Sequence, residues 1–282
     1  MNPLERICDK IIVIGLERRA DRREAFNREM AQLGITRYEW FNGYDKPLDH
    51  NSVPSGNKGC TESHRAVLDL IVHNGWDRVA VFEDDAMVRP DFRGQFNDLL
   101  VTSLAELPEG WKLCYLGGGY ACNAKRRVSP HIIEINRMLT TSSFVITGKM
   151  AREMAPYISG VGPIDNLFNG FTERGNCYCI TPRLFIQRET KSDLTDQTVN
   201  YEGSMTDARH EEMMLDGVIE VRRDELILRG KLQRRELAAP SDMNGEEVIV
   251  DGELYRIIRL ELPEHPASWY RSEPITYVLK KA

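Results

Sequence analysis

Three consecutive acids, Glu83-Asp84-Asp85, follow directly on the apolar run Val79-Ala80-Val81-Phe82. Adjacent carboxylates repel one another, so such a cluster is disfavoured unless a cation or water screens it. Hard divalent ions such as Mg²⁺ or Mn²⁺ take oxygen ligands and often complete their shell with substrate phosphates. A nucleotide diphosphate leaving group needs that arrangement, because a metal neutralises the charge that grows as its bond breaks. In extended chain alternate residues point the same way, so Glu83 and Asp85 are expected to share one site and Asp84 to point elsewhere. The bland alternative is a solvated acidic loop, and the triplet alone does not decide between the two.

The surrounding elements give the triplet its address. Ile11 to Ile14 reads as a strand covered on both faces. Asp21 and Glu24 read as a capping box for a helix carrying Phe26, Met30 and Leu33, with Gly34 as its stop. Tyr38–Phe41 suggests a second strand. A polar loop over 42–59 leads to a helix capped by Thr61, with Ala66, Val67, Leu70 and Ile71 as its stripe and Gly75 beyond its end. Val79–Phe82 is the next strand, followed by a helix near Asp91–Leu107. Strands then follow at Lys112–Leu116, which stops at Gly117-Gly118-Gly119, and at Ser143–Thr147. Pro163 starts a helix containing Asp165, Leu167, Phe168 and Phe171. Strands alternating with helices imply a mostly parallel sheet covered on both faces. In such sheets ligands bind beyond the carboxyl ends of strands, where the triplet lies.

Beyond residue 200 the character changes. Val248–Val250, Asp251-Gly252 and Leu254–Ile258 read as a hairpin with a two-residue turn. Val218 to Arg229 can supply further strands. Residues 1–200 are therefore expected to form one α/β domain, and 201–282 a small β-rich appendage.

Length and composition bound the rest. The 282 residues, 41% hydrophobic, are enough for a full core. A net charge of −6 gives no general attraction to nucleic acid or anionic lipid. The arginine-rich stretch 221–236 (Arg222, Arg223, Arg229, Arg234 and Arg235) is either a solvated face or a patch for an anionic acceptor or membrane surface. No apolar run reaches the roughly 20 residues of a membrane span. Glu5, Arg6, Asp9 and Lys10 interrupt any secretory core, so a cytoplasmic protein is expected, with peripheral contact at the inner membrane face left open. The six cysteines are scattered and none makes a C-x-x-C pair. Cys177-x-Cys179 would place two thiols on one strand face, read as half-buried free thiols.

The stretch Gly59-Cys60-Thr61-Glu62-Ser63-His64, followed by Val81-Phe82-Glu83-Asp84-Asp85-Ala86, resembles the signature of glycosyltransferase family 25. That family includes lipooligosaccharide and collagen hydroxylysine galactosyltransferases. Other pieces occur in the same order: Ile12–Ile14 with Leu16, Arg18, Arg19, Asp21 and Arg22; Trp111–Gly117; Gly162–Asp165; then Pro182–Leu184, Gln187 and Ser192-Asp193. The likeness covers roughly residues 8–195. It departs from the pattern at Gly15, where the family usually has Asn.

The resemblance implies a GT-A fold, a Rossmann-like mixed sheet with helices on both faces. It also implies a UDP-sugar donor, Mn²⁺ (or Mg²⁺) and inversion at the anomeric carbon. On that reading Asp85 and then Glu83 hold the metal, and Glu83 and Asp84 lie on the donor's side. Arg19 and Arg22 meet the diphosphate or ribose, or else are a solvated helix face. Ser63 and His64, placed in a helix's first turn, face the donor's anion or act as cap and surface histidine. Asp165 is the candidate general base for the acceptor hydroxyl, against an ordinary helix N-terminal acid. Asp193 is the alternative, as base or metal-site residue. The expected acceptor is a cell-surface glycan. A hydroxylated protein or a hydroxymethylated DNA base would suit the same chemistry, though acidity weighs against nucleic acid. An inactive carbohydrate-binding or scaffolding relative and a metal-dependent phosphohydrolase are the readings from other classes.

Overall fold

The computed structural model describes residues 2–45, 55–118, 122–158, 162–193, 198–200, 205, 215–222, 225–232, 247–250, 253–261 and 275–281. The chain divides into two compact units, Met1–Cys122 with Arg127–Asp207, and Asn123–Arg126 with Ala208–Ala282.

The first unit opens with a short helix α1 (Pro3–Ile7), strand β1 (Lys10–Gly15), helix α2 (Ala20–Gln32), strand β2 (Glu39–Asn42) and helix α3 (Ser55–Asn74). Strands β3 (Arg78–Glu83) and β4 (Ala86–Val88) flank the acid triplet. A 3-10 turn at Pro90–Gln95 leads into α4 (Phe96–Ala105) and β5 (Leu113–Tyr115). Then come β6 (Cys122–Ser129), β7 (Ile132–Met138), β8 (Ser143–Thr147), α5 (Gly148–Met154), α6 (Ile164–Thr172) and β9 (Cys177–Ile180). Three short strands, β10 (Phe185–Gln187), β11 (Thr190–Lys191) and β12 (Thr198–Val199), complete it. The main sheet has eight strands in the order β2-β1-β3-β8-β5-β9-β7-β6.

Strand parity sorts the core into two layers. Ile11 and Val13 of β1, Ala80 and Phe82 of β3, Cys114 and Val145 turn to one face and pack with Leu4, Phe26, Met30, Phe96 and Leu100 from α1, α2 and α4. The intervening residues turn to the other face, where Phe144 meets His64 of α3 and Phe168 of α6. The α/β expectation of a mixed, helix-covered sheet therefore holds. It is less parallel than strand–helix alternation suggests. β1 pairs in parallel with β2 and β3, but β8 runs antiparallel to both β3 and β5. β5 and β9 run parallel to each other, and β7 is antiparallel to β9, so the far half of the sheet is mixed as well.

Two helix starts differ from expectation. α2 begins at Ala20 with Arg19 at the N-cap and no side-chain cap bond. The Asp21 carboxylate, expected to cap it, instead accepts from the Arg19 guanidinium at 3.0 and 2.9 Å. α3 begins at Ser55, so Thr61, Ser63 and His64 lie inside it rather than in its first turn. The two expected stops hold, Gly34 and Gly75 having φ of +70° and +66°.

Gly117 sits against the backbone of β10: a Cβ there would lie 2.0 Å from the Phe185 carbonyl oxygen. The close approach this glycine permits is to a neighbouring strand, and Gly119 lies outside the described residues. Gly117→Ala is expected to wedge β10 outward and cost about 3 kcal/mol, the upper range for overpacking. Thermal unfolding reads this directly, and an unchanged midpoint would show that the contact relaxes freely.

The second unit contains a five-stranded antiparallel sheet: β13 (Leu215–Arg222), β14 (Glu225–Leu232), β15 (Glu247–Val250), β16 (Glu253–Glu261) and β17 (Ile275–Lys281), in the order β13-β14-β17-β16-β15. Val250 pairs with Glu253, the register a two-residue hairpin turn requires; Asp251 and Gly252 themselves lie outside the described residues. Arg222 and Arg229 fall on β13 and β14, whereas Arg223, Arg234 and Arg235 lie outside the described residues. No helix among the described residues is long and apolar enough to cross a membrane.

Candidate active site

The acid triplet sits where β3 ends. Glu83 is its last residue, Asp84 and Asp85 form the turn, and β4 leaves to pair antiparallel with β10, Ala86 opposite Gln187. This pairing brings Gln187 and Arg188 to the turn, where the Arg188 N–H donates to the Asp85 carbonyl at 2.7 Å. Glu83, Asp84 and Asp85 all line one cavity of about 450 Å³, within the range of small-molecule sites. The expectation that Asp84 points elsewhere is not met. The strand's alternation stops at Glu83, and the turn swings Asp84 and Asp85 toward the same partner, Arg22, at 2.9 and 3.5 Å.

The three carboxyls are nonetheless in different states. Glu83 Oε1 lies 3.0 Å from His64 Nε2 and accepts from the Thr141 hydroxyl at 2.7 Å. Burial works to raise its pKa, but these bonds and the Arg22 charge outweigh that and hold it below the ordinary value. Asp84 is raised, by burial first and by the Glu83 charge, against the pull of Arg22. Asp85 is pushed up to about 7 by burial and by its Glu83 neighbour. Its Oδ1 is buried and has no hydrogen-bond partner among the described residues. Buried polar atoms are normally satisfied, so an orphan oxygen on a carboxyl group whose residue lines a cavity marks a place for a ligand. Gly15 makes room for this turn, since a Cβ there would lie 2.9 Å from Asp84 Oδ2.

The basic segment after β1 folds over the same cavity. Arg18 reaches Asp193 at 2.8 Å and Asp45 at 2.6 Å. Arg19 bonds Asp193 and the Lys191 carbonyl, and Arg22 reaches that carbonyl at 2.8 Å. Arg19 and Arg22 are thus half-buried, engaged groups and not a solvated helix face; of the two, Arg22 lines the cavity. Asp193 lines it too, but as the acid these guanidinium groups hold. The wall carries Arg18, Arg22 and Arg188 against Asp45, Glu83, Asp84, Asp85, Asp165 and Asp193. Acids exceed arginines two to one, and Arg18 and Arg22 are already paired.

Ser63 and His64 line the cavity from inside α3, where the backbone N–H groups are already used within the helix. The Ser63 hydroxyl donates to the Gly59 carbonyl at 2.7 Å and accepts the Tyr44 N–H at 2.8 Å, fixing the loop after β2. His64 is only 1% exposed and meets Glu83. Asp165, in the first turn of α6, also lines the cavity; its Oδ2 accepts the Thr140 N–H at 3.2 Å and its Oδ1 the Asn166 N–H at 2.8 Å. Asp45, Thr141 and Arg188 are site residues that no local pattern singles out, and Arg18, part of the opening basic segment, joins them. Cys60 stands four residues before His64 on the same face of α3, a spacing that a helix starting at Thr61 would hide. Cys177 and Cys179 lie on β9 outside any disulfide, as expected, but both are fully buried rather than half-buried.

Residues 8–108 match the description of Glycosyltransferase family 25 (LPS biosynthesis protein). A human protein named "Inactive glycosyltransferase 25 family member 3" is 30% identical over 129 residues, 39% of this chain and 22% of that protein. Human procollagen galactosyltransferase 2 is 25% identical over 129 residues, 39% of this chain and 20% of its own length. The chain thus matches only a minor part of these longer relatives. Among solved structures, A197 from STIV is 13% identical at a TM-score of 0.37, covering 64% of this chain and 94% of that one, a likeness too low to carry an argument. The matched segment contains the opening strand, the Gly59–His64 stretch and the acid triplet, and over it the chain is similar to glycosyltransferase family 25.

Proposed function

We propose that this chain transfers a hexose, galactose or glucose, from a UDP-sugar to a hydroxyl acceptor, with a divalent cation held at Asp85. The observation that carries the reading is the partnerless, buried Asp85 Oδ1 in a cavity whose acids outnumber its arginines. A diphosphate would meet net repulsion there without a cation, and Mn²⁺ or Mg²⁺ suits a carboxylate set. Bound there, the cation would neutralise charge on the departing nucleotide. Glu83 and Asp84 flank that position, and Arg22, already oriented by Asp84, supplies a guanidinium to the diphosphate. Arg19 acts one step back, holding Asp193 and the Lys191 carbonyl. Asp165 is the better base: two backbone N–H groups aim it, whereas Asp193 is ion-paired to Arg18 and Arg19. His64 orients Glu83, and Ser63 holds the wall at Tyr44.

The acceptor reading is a cell-surface glycan, ahead of a hydroxylated protein or a hydroxymethylated base. A cytoplasmic, membrane-peripheral setting would suit it. The second reading, an inactive binding relative, is favoured by one observation, the "inactive" name of the human relative at 30% identity. Calorimetric titration of UDP with and without Mn²⁺, followed by UDP-release assays on glycan, peptide and DNA acceptors, separates the two. UDP binding that ignores Mn²⁺ and EDTA sinks the proposal. Mn²⁺-dependent binding without turnover on any acceptor selects the inactive reading.

A further inference from the structure

Cys60 and His64 stand four residues apart on α3 and so present their side chains on one helix face. Glu83 closes on them from the end of β3, and one ligand atom from each of the three lies within 4.8 Å of the other two. All three line the cavity. We infer that Cys60, His64 and Glu83 form a binding site for a borderline transition-metal cation of the Zn²⁺ or Co²⁺ class, separate from the carboxylate position at Asp85.

The donor set selects the metal. One thiolate, one imidazole and one carboxylate match zinc-type coordination, whereas Mg²⁺ and Mn²⁺ favour all-oxygen sets. Three protein ligands with the remaining direction open to a cavity is the pattern of a zinc site that keeps a position for water or substrate. Ligands about 2.0–2.3 Å from a tetrahedral ion lie roughly 3.3–3.8 Å apart, so the observed cluster needs to contract by about 1 Å. The surroundings hold two of the three groups in place. The His64 ring packs against Phe144 and Phe168, with centroids 6.0 and 6.1 Å away. The Thr141 hydroxyl bonds Glu83 Oε1 at 2.7 Å, the kind of outer partner that orients a metal-binding carboxylate. Binding forms a metal–sulfur bond at Cys60 in place of its S–H bond. The proton leaves to the buffer, and His64 binds as neutral imidazole.

This inference does not depend on the transferase reading, because metal binding is measured without donor or acceptor. Chelator-stripped protein is titrated with Co²⁺ and read by the near-ultraviolet thiolate-to-cobalt absorption. Zn²⁺ is then titrated against a chromophoric chelator. The expected result is one equivalent of Co²⁺ with the thiolate band, displaced by Zn²⁺. Cys60→Ser should abolish the band and weaken Zn²⁺ binding by more than about tenfold, since even outer-shell partners are worth about 10–100-fold. His64→Asn should weaken Zn²⁺ equally and serves as the second reading should Cys60→Ser fail to fold by circular dichroism. Asp85→Asn should leave the cobalt band intact. Absence of the band in the wild-type chain, or a Zn²⁺ affinity unchanged in the folded Cys60 or His64 variant, would overturn the site.

Discussion

Asp85→Asn is expected to abolish Mn²⁺-dependent UDP binding and sugar transfer, and at the same time to make the protein more stable above neutral pH. Both effects come from one fact, a buried carboxyl with a partnerless oxygen whose pKa is pushed up to about 7. In the unfolded chain an Asp titrates near 3.9, so between roughly pH 4 and 7 the folded state holds a proton that the unfolded state has released. Stability from this group is full below about pH 4 and is lost as pH rises through 7. Above that pH the fold carries a desolvated charge, a burden of up to about 4 kcal/mol for a shift of this size. Asparagine keeps the shape and removes the charge. In EDTA at pH 8 the variant should melt roughly 5–10 °C higher, and the gain should vanish toward pH 4. A gain independent of pH, or none at pH 8, would show that Asp85 is not the strained group. Retained Mn²⁺-dependent UDP binding would move the cation elsewhere.

Asp165→Asn should lower kcat by about 10²–10⁴ with little change in KM for the donor, the signature of a lost general base. The fold should survive, because the amide oxygen can still accept one of the Thr140 and Asn166 N–H groups, which bond different carboxylate oxygens, and only the other bond is lost. Asp193→Asn should behave differently. It releases Arg18 and Arg19, which should raise the donor KM more than it lowers kcat. If Asp193→Asn shows the larger kcat loss and Asp165→Asn almost none, the two assignments must be exchanged.

Several features of the molecule were legible in the chain. Ile11–Ile14 and Val79–Phe82 are continuous apolar runs because both their faces are covered, and no exposed strand tolerates that pattern. The helix stops at Gly34 and Gly75 were readable because a left-handed backbone suits glycine. The position of three acids at a strand's carboxyl end was readable for the same topological reason. Helix starts were less so. Asp21 and Thr61 both have good capping chemistry, yet Asp21 answers to Arg19 and Thr61 bonds Gly162, a residue 101 positions away. Local preference lost to tertiary partners.

By itself, then, the sequence determined the α/β class, the two main buried strands, the acid triplet and its family pattern, since each depends on residues close together in the chain. Tertiary structure alone decided which acid is orphaned, that Asp84 joins Asp85 at Arg22, that Asp193 is ion-paired rather than free, and that Cys60 and His64 meet Glu83. A carboxyl's state is set by burial and by charges within a few ångströms. Those neighbours come from the segment after β1, from α2 and α3, from the loop before β8 and from β10, segments whose proximity no local spacing encodes.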